Sequence, residues 1–401
     1  MVDQAAVTRP RAALRRVLIV LCITEITSWG VLYYAFPVLA PTISASTGWP
    51  AGTLTAAFSA SLLVSALVGI PVGRWLDRWG PRVVMTAGSV LAVPAVLMIA
   101  RASSPGWFFA GWVVAGVAMA AVLYRPAFAA LTRWWGPRRV VALTAVTLIA
   151  GLASTVFAPL TALLVAHMDW RHTYLVLAAV LAVVTIPLHA LGLRGEWPHP
   201  LPEHDTVVTD HAPDVIARSR PFVLLAVSMS LAAFAVYAVV VNLVPLLTGR
   251  GMSTGTAALA LGLGGAGQVC GRLGYARLTA ATSVRPRTLI VLLFAAAGIL
   301  VLGLLPGPAV LLVAVSVLVG ASRGIFTLLE ATAISDRWGS VHYGRLNGLL
   351  SAPVTVAAAL APWAGTALAG YLGGYPAVFA VLAVIAGLAG ALAMATIPGR
   401  G

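Results

Sequence analysis

An all-α integral membrane protein, with twelve transmembrane helices in two pseudo-symmetric six-helix bundles, is the fold class that this 401-residue sequence predicts. Three observations carry that expectation. Sixty per cent of the residues are hydrophobic and only 9% are charged, far less charge than a soluble domain of this length needs. Apolar runs recur along the chain at about 20 residues each, the length that crosses a hydrocarbon core about 30 Å thick. They lack the period-2 alternation of an outer-membrane barrel. The 25 basic residues are all arginine, and most fall in segments that would share one side of a membrane.

The first run spans 17–43. It follows Arg15 and Arg16 as a signal peptide would, but it runs on too far, contains Glu25 and lacks a small-residue cleavage site. It is therefore expected to stay as the first helix. Runs at 53–72, 83–101, 107–131, 140–165 and 173–193 complete a set of six. A second set lies at 221–247, 253–271, 288–305, 308–334, 346–369 and 375–397. Between them, 194–220 is proline-rich and holds five of the eleven acids, which reads as a solvated cytoplasmic linker. The expected division is an N-terminal bundle over 1–193, the linker over 194–220 and a C-terminal bundle over 221–401.

The two sets look like copies. Trp135-Gly136 lies 203 residues before Trp338-Gly339, and Pro159 lies the same 203 before Pro362. "GIPVGR" (69–74) has a weaker echo in "GQVCGR" (267–272). Parallel duplication about an axis along the membrane normal is one repeat plan of secondary transporters.

Arginine placement sets the orientation. Four precede the first run, three surround Asp77, three lie in 133–139, three in 194–220, four in 272–287 and two in 337–345, with Arg400 last. Only Arg101, Arg171 and Arg250 fall in the alternate loops. The positive-inside rule then puts both termini in the cytoplasm. Trp75, Trp79, Trp134, Trp135 and Trp338 would mark the cytoplasmic boundary, and Trp49, Trp107 and Trp170 the outer one. The arginine-only, alanine-rich composition points to a GC-rich bacterial genome and so to the plasma membrane.

Several chemistries lose their support. The net charge of +14 has no folded soluble module to display it, which argues against nucleic acid as a partner. "GLGGAG" (262–267) follows no strand, so close helix packing through Gly267 and Gly271 explains it better than a dinucleotide. His199, His204 and His211 sit among acids in the linker and read as solvated rather than metal-binding. Cys22 and Cys270 read as small core residues. No cofactor or metal is expected, and no nucleophile–base set suggests an enzyme. The expected partners are a small-molecule substrate, protons and membrane lipids, with the protein a monomer.

The densest charge is in "GRWLDRWGPR" (73–82), where Gly73 and Gly80 would permit a tight turn around Asp77, Arg78 and Arg82. This stretch resembles the loop between helices 2 and 3 of the major facilitator superfamily, G-x-x-x-D-R-x-G-R-R/K. Gly73, Asp77, Arg78, Gly80 and Arg82 match, and Pro81 departs from the pattern. The resemblance implies the major facilitator fold across the whole chain, and a gating role for these five residues, with Asp77 latching the two halves. "ITSWGVLYYAFPVLAPTISASTGW" (26–49), "LYRPAFAALTRWWGPRR" (123–139) and "FAPL" (157–160) look like its monocarboxylate-porter-like branch. The helix 5 signature of drug antiporters is degraded around Pro159.

Four ionisable residues lie well inside apolar runs: Glu25, Arg125, Arg323 and Glu330. Each costs at least about 2.5–3.5 kcal/mol at mid-helix, so each needs a partner or a wet cavity. At a rise of about 1.5 Å per residue, Arg323 sits nearest the midplane, and Glu25 and Arg125 share a depth at which they could meet. The superfamily resemblance implies that helices 1, 4, 7 and 10 line the central cavity, and all four charges are on that set. Arg323 and Arg125 are thus candidates to bind an anionic substrate, with Trp29, Tyr33, Tyr124, Tyr237 and Asn242 as further ligands. Glu25 and Glu330 are the candidate proton-coupling carboxylates. The expected function is a proton-coupled carrier of a small organic anion working by alternating access. A proton-driven drug or metabolite efflux antiporter is the alternative, with a non-transporting membrane receptor or enzyme more remote.

Overall fold

A computed structural model describes residues 11–195, 197, 213–339 and 343–396. The linker histidines and the outermost N-terminal arginine, Arg9, lie outside them. The described residues form helices and no strands. We label them α1 (Ala12–Thr47), α2 (51–79), α3 (81–100), α4 (Pro105–Trp135), α5 (Arg139–His167) and α6 (Trp170–Gly192) in the first half. The second half holds α7 (Arg220–Thr248), α8 (Thr254–Ala281), α9 (Val284–Leu304), α10 (Ala309–Thr332), α11 (Tyr343–Leu372) and α12 (Tyr375–Ala393). Ten segments are long and apolar enough to cross a membrane, with Ala51–Ala100 counted as one. The glycine-rich α8 is 28 residues long but is not among the ten.

Helix starts follow the local chemistry. Ser104, Ser219 and Ser253 cap α4, α7 and α8 by accepting from the N–H groups of Trp107, Phe222 and Thr256. Asp169 does the same for α6 through His172 N–H at 2.9 Å, and that donor holds its carboxyl below the usual aspartate range.

The 73–82 stretch is not a loop. Helix continues through Gly73 to Trp79 and resumes at Pro81, and only Gly80 leaves helical geometry, at φ 75° and ψ 169°. Gly73 is therefore a helical residue with open space beside it rather than a turn former. Gly80→Ala is expected to cost about 1–3 kcal/mol, because that backbone region is nearly closed to L-residues, and the new methyl would lie 3.1 Å from the Trp197 ring. A lowered melting temperature in detergent, against no loss for Gly73→Ala, checks this.

Glycine also sets the closest helix pair. A Cβ at Gly267 would meet the Val317 carbonyl, and one at Gly271 the Ala321 carbonyl. α8 and α10 thus pack backbone on backbone, as small-residue faces do within a membrane. Gln268, on the same face, is brought against α10.

Burial divides the molecule into two ends. At the end carrying Trp49 and Trp170, one apolar cluster takes residues from both halves, with Phe36, Phe58, Trp112 and Tyr174 beside Val244, Leu247, Leu302 and Phe379. At the arginine-rich end the halves keep separate cores, Phe222, Met229, Phe326 and Leu350 in one and Leu21, Met85, Leu131 and Trp134 in the other. Two cross-half hydrogen bonds stitch the shared core: Trp363 N–H donates to Ser59 Oγ at 3.1 Å, and Thr155 Oγ1 to the Gly262 carbonyl at 2.7 Å. The space between the halves therefore opens toward the arginine-rich end. Trp134 and Trp170 belong to these cores instead of a lipid-facing belt, whereas Trp75, Trp79 and Trp107 are exposed. Cys22 is buried as expected, and Cys270 is exposed.

Candidate functional site

Between the halves lies a cavity of two compartments that share a neck of four rings, Trp29, Tyr33, Tyr124 and Tyr237. The larger chamber, about 340 Å³, is walled by Leu62, Ser65 and Ala66 of α2, Met119, Ala120, Leu123 and Arg125 of α4, Glu330 of α10, and Val354, Thr355, Ala358 and Ala359 of α11. The smaller recess, about 60 Å³, adds Tyr34, Ala150, Gly151, Gln268, Arg272, Arg323 and Thr327. Helices α1, α4, α7 and α10 all contribute, as the resemblance implied.

Two backbone irregularities build the neck. Residues Gly30–Tyr34 form a π-helical turn in the middle of α1, and such turns recur at functional sites. The wider turn lets the consecutive Tyr33 and Tyr34 both reach the recess, their ring centroids 5.1 Å apart. In α4, Leu123 is extended (φ −92°, ψ −170°) and a new helix starts at Tyr124. Pro126 accounts for the break, since it has no N–H to offer a continuous helix but fits the first turn of a new one. The break aims Tyr124 at Trp29, with centroids 5.0 Å apart.

The recess is cationic. Arg323 is buried, donates from Nη2 to Gln268 Oε1 at 2.5 Å, and stands 5.9 Å from the centre of the Tyr34 ring. Its Nε is buried without a protein hydrogen-bond partner among the described residues. Arg272 crosses from α8 to the first half, donating to the Thr147 carbonyl of α5, and lies 3.4 Å from Thr327 Oγ1. Neither guanidinium has a carboxylate within salt-bridge distance among the described residues. Sequence reasoning missed Arg272 and Gln268. Arg272 was grouped with the topogenic arginines, although its place in the 267–272 echo of 69–74 was the available signal.

The two carboxylates stand apart from this pair. Glu25 is fully buried in α1; its Oε2 accepts from Trp29 Nε1 at 3.1 Å and its Oε1 has no hydrogen-bond partner among the described residues. The expected meeting of Glu25 with Arg125 does not occur. Arg125 turns to α2 instead, donating to the Ala66 carbonyl at 3.2 Å beside the bare backbone of Gly69. Glu330 lines the chamber and makes no ion pair with Arg323. Asn242 does not reach the cavity. Its Nδ2 donates to the Ala238 carbonyl and its Oδ1 accepts from Thr366 at 2.9 Å, so it is spent on α7–α11 packing.

The candidate gate residues gather at the arginine-rich end, within one half. Asp77 pairs with Arg133 at the end of α4, and Trp197 Nε1 donates to the Asp77 carbonyl at 3.1 Å. Arg82 donates to the Ala190 carbonyl at 2.8 Å, and Arg78 lies 5.8 Å from the Trp79 ring centre. No hydrogen bond or ion pair described for them crosses to the other half, so the latch expected of Asp77 is not made in this conformation. The second half carries the inverse. Asp336, which lies 203 residues after Arg133, pairs with Arg287 at the start of α9, and here the arginine is buried. Burial pushes the neighbouring Arg337 guanidinium down to about 10, opposed by the Asp336 carboxylate, and it remains charged at neutral pH.

The Major Facilitator Superfamily profile matches residues 21–329. Monocarboxylate transporter 11 of Mus musculus is 30% identical over 258 residues, 63% of this chain and 57% of that protein. Its Homo sapiens counterpart is 32% identical over 229 residues, 55% of this chain and 48% of that protein. The match thus spans about half the length of these two relatives. Monocarboxylate transporter 13 of Bos taurus is 27% identical over 341 residues, 82% of this chain and 77% of that protein. Among solved structures, a bacterial homologue of the human lysosomal transporter Spinster, inward-facing and unoccupied, superposes with a TM-score of 0.74 at 15% identity, covering 96% of this chain and 98% of that one. A mutant of the nucleoside transporter NupG gives 0.74 at 13% identity, with 96% and 100% covered. At such identities the likeness concerns the fold alone.

Proposed function

The chain belongs to the Major Facilitator Superfamily, and on that premise we propose that it moves a small organic anion, a monocarboxylate-like metabolite, by alternating access between its two halves, coupled to protons. The observation that carries this reading is the recess in which Arg323 and Arg272 converge with no carboxylate among the described residues pairing with either. A buried cation beside a half-buried one, left unneutralised, is costly, and an incoming carboxylate supplies the missing charge through strong, charge-assisted hydrogen bonds. The name of the relatives, monocarboxylate transporters, supports the same class of cargo. In this reading the carrier is a monomer of the plasma membrane, and the arginine asymmetry supports both termini on the cytoplasmic side.

Glu25 takes the coupling proton in this scheme. Its link to the cargo runs through Trp29, which hydrogen-bonds its Oε2 and lines both compartments. Cargo that moves the Trp29 ring changes the donor available to the Glu25 carboxylate and hence its affinity for a proton. Asp77, Arg78 and Arg82, on either side of the Gly80 kink, form the gate, with Asp77 leaving Arg133 when the arginine-rich end closes. Glu25→Gln mimics the protonated state. It should keep substrate counterflow in proteoliposomes yet lose acceleration by an imposed pH gradient. Survival of gradient-driven uptake in that variant would move the proton to Glu330.

A further inference from the structure

The two compartments differ in size and in chemistry, and that difference bears on the body of the cargo as well as its charge. The recess, about 60 Å³, has room for one small polar group between Arg272, Arg323, Gln268 and Thr327. Beyond the four-ring neck, the chamber of about 340 Å³ falls within the range of about 300–1,000 Å³ typical of pockets for drug-sized molecules. Its walls are apolar: Leu62, Met119, Leu123, Val354 and Ala358 face it. The charged groups among its lining are Arg125, which is held by the Ala66 carbonyl, and Glu330. A short acid would seat its carboxylate in the recess and leave the chamber to water. A second carboxylate would lie against mostly apolar walls, where Glu330 opposes the one cation, Arg125.

We propose that the cargo is an amphipathic monocarboxylate with a large apolar, ring-bearing body. The carboxylate lies between Arg272 and Arg323, the atoms joining it to the body pass the neck, and the body fills the chamber against α2, α4 and α11. The neck favours a flat group. Trp29 already meets Tyr33 edge-on at 5.4 Å and Tyr124 at a tilt at 5.0 Å, and aromatic faces and edges attract a further ring in the same geometries. This assignment rests on the anion reading above and narrows it.

A ligand series on the purified full-length protein tests it, using melting temperature against concentration to obtain apparent Kd values. The probes are acetate, butyrate, phenylacetate, 3-phenylpropionate and indole-3-acetate, with 3-phenylpropanamide and phenethylammonium as neutral and cationic counterparts. Affinity should rise about fourfold for each methylene equivalent that enters the chamber, and the phenyl and indolyl acids should bind best. Ala358→Phe, which fills the chamber, should weaken 3-phenylpropionate by at least about tenfold and shift preference toward acetate. Acetate binding as tightly as 3-phenylpropionate, or Ala358→Phe weakening both equally, overturns the amphipathic assignment and leaves the anion reading standing. The amide or the ammonium binding as tightly as the acid overturns the anion reading, and this one with it. No stabilisation by any of the acids does the same.

Discussion

Arg323→Gln should weaken an anionic ligand by roughly 30-fold to a few thousand-fold, because removing one partner of a buried charged hydrogen bond costs about 2–5 kcal/mol. Folding should survive. Among the described residues Arg323 makes no salt bridge, and its hydrogen bond to Gln268 is to a neutral amide. Gln at 323 removes a buried charge, so the ligand-free melting temperature should hold or rise even as ligand stabilisation is lost. That pairing separates a binding arginine from a structural one. A fall in the ligand-free melting temperature, restored by changing Glu330 to Gln, would instead assign Arg323 to an ion pair made in another conformation.

Asp336→Asn should be the most destabilising single change among the described ion pairs, by about 3–5 kcal/mol, the cost of stranding a buried charge. The charge left behind is Arg287, 4% exposed in α9. Its Nε has no hydrogen-bond partner among the described residues, and Arg337 crowds the same corner, donating to Thr288 and Thr396. The duplicated pair in the first half is the internal control. Asp77 and Arg133 have side chains 55% and 22% exposed, and partly exposed pairs contribute about 0–1 kcal/mol. Thermal unfolding of Asp336→Asn beside Asp77→Asn checks the contrast. Apolar replacement of both Arg287 and Asp336 should recover part of the loss, since the charges then no longer need solvation.

Much of this was legible because membranes constrain sequences in one dimension. Length, apolarity and arginine placement locate each helix end. Counting residues from those ends gives depth, which set the expectation for Arg323, and the superfamily resemblance implied the cavity that Trp29, Tyr33, Tyr124 and Tyr237 line. Depth is not direction. Glu25 and Arg125 share a depth, yet Pro126 and the extended Leu123 restart α4 there, and Arg125 ends on the Ala66 carbonyl. Asn242 sits on a cavity-lining helix but points at Thr366. Arg272 was hidden for the opposite reason: near a basic helix end, only its place in the weak 267–272 echo sets it apart from Arg277, Arg285 or Arg287. Its side chain crosses the interface to Thr147 because glycine-lined α8 lies so close to its neighbours. The π-turn at Gly30–Tyr34 leaves no periodic mark that would reveal it.

The shared core at the Trp49 end has a thermodynamic consequence for turnover. Among the described residues two directional bonds, Trp363 N–H to Ser59 and Thr155 to Gly262, stitch that seal, beside packed apolar surface. Opening the outer side must wet that surface, and hydrating apolar area raises heat capacity by about 0.45 cal/mol/K per Å². The balance between the two faces of the carrier is then curved in temperature. Cooling weakens the force that holds the outer side shut, so conformational bias, and with it the direction of the slow step, should depend on growth temperature even for a fixed cargo.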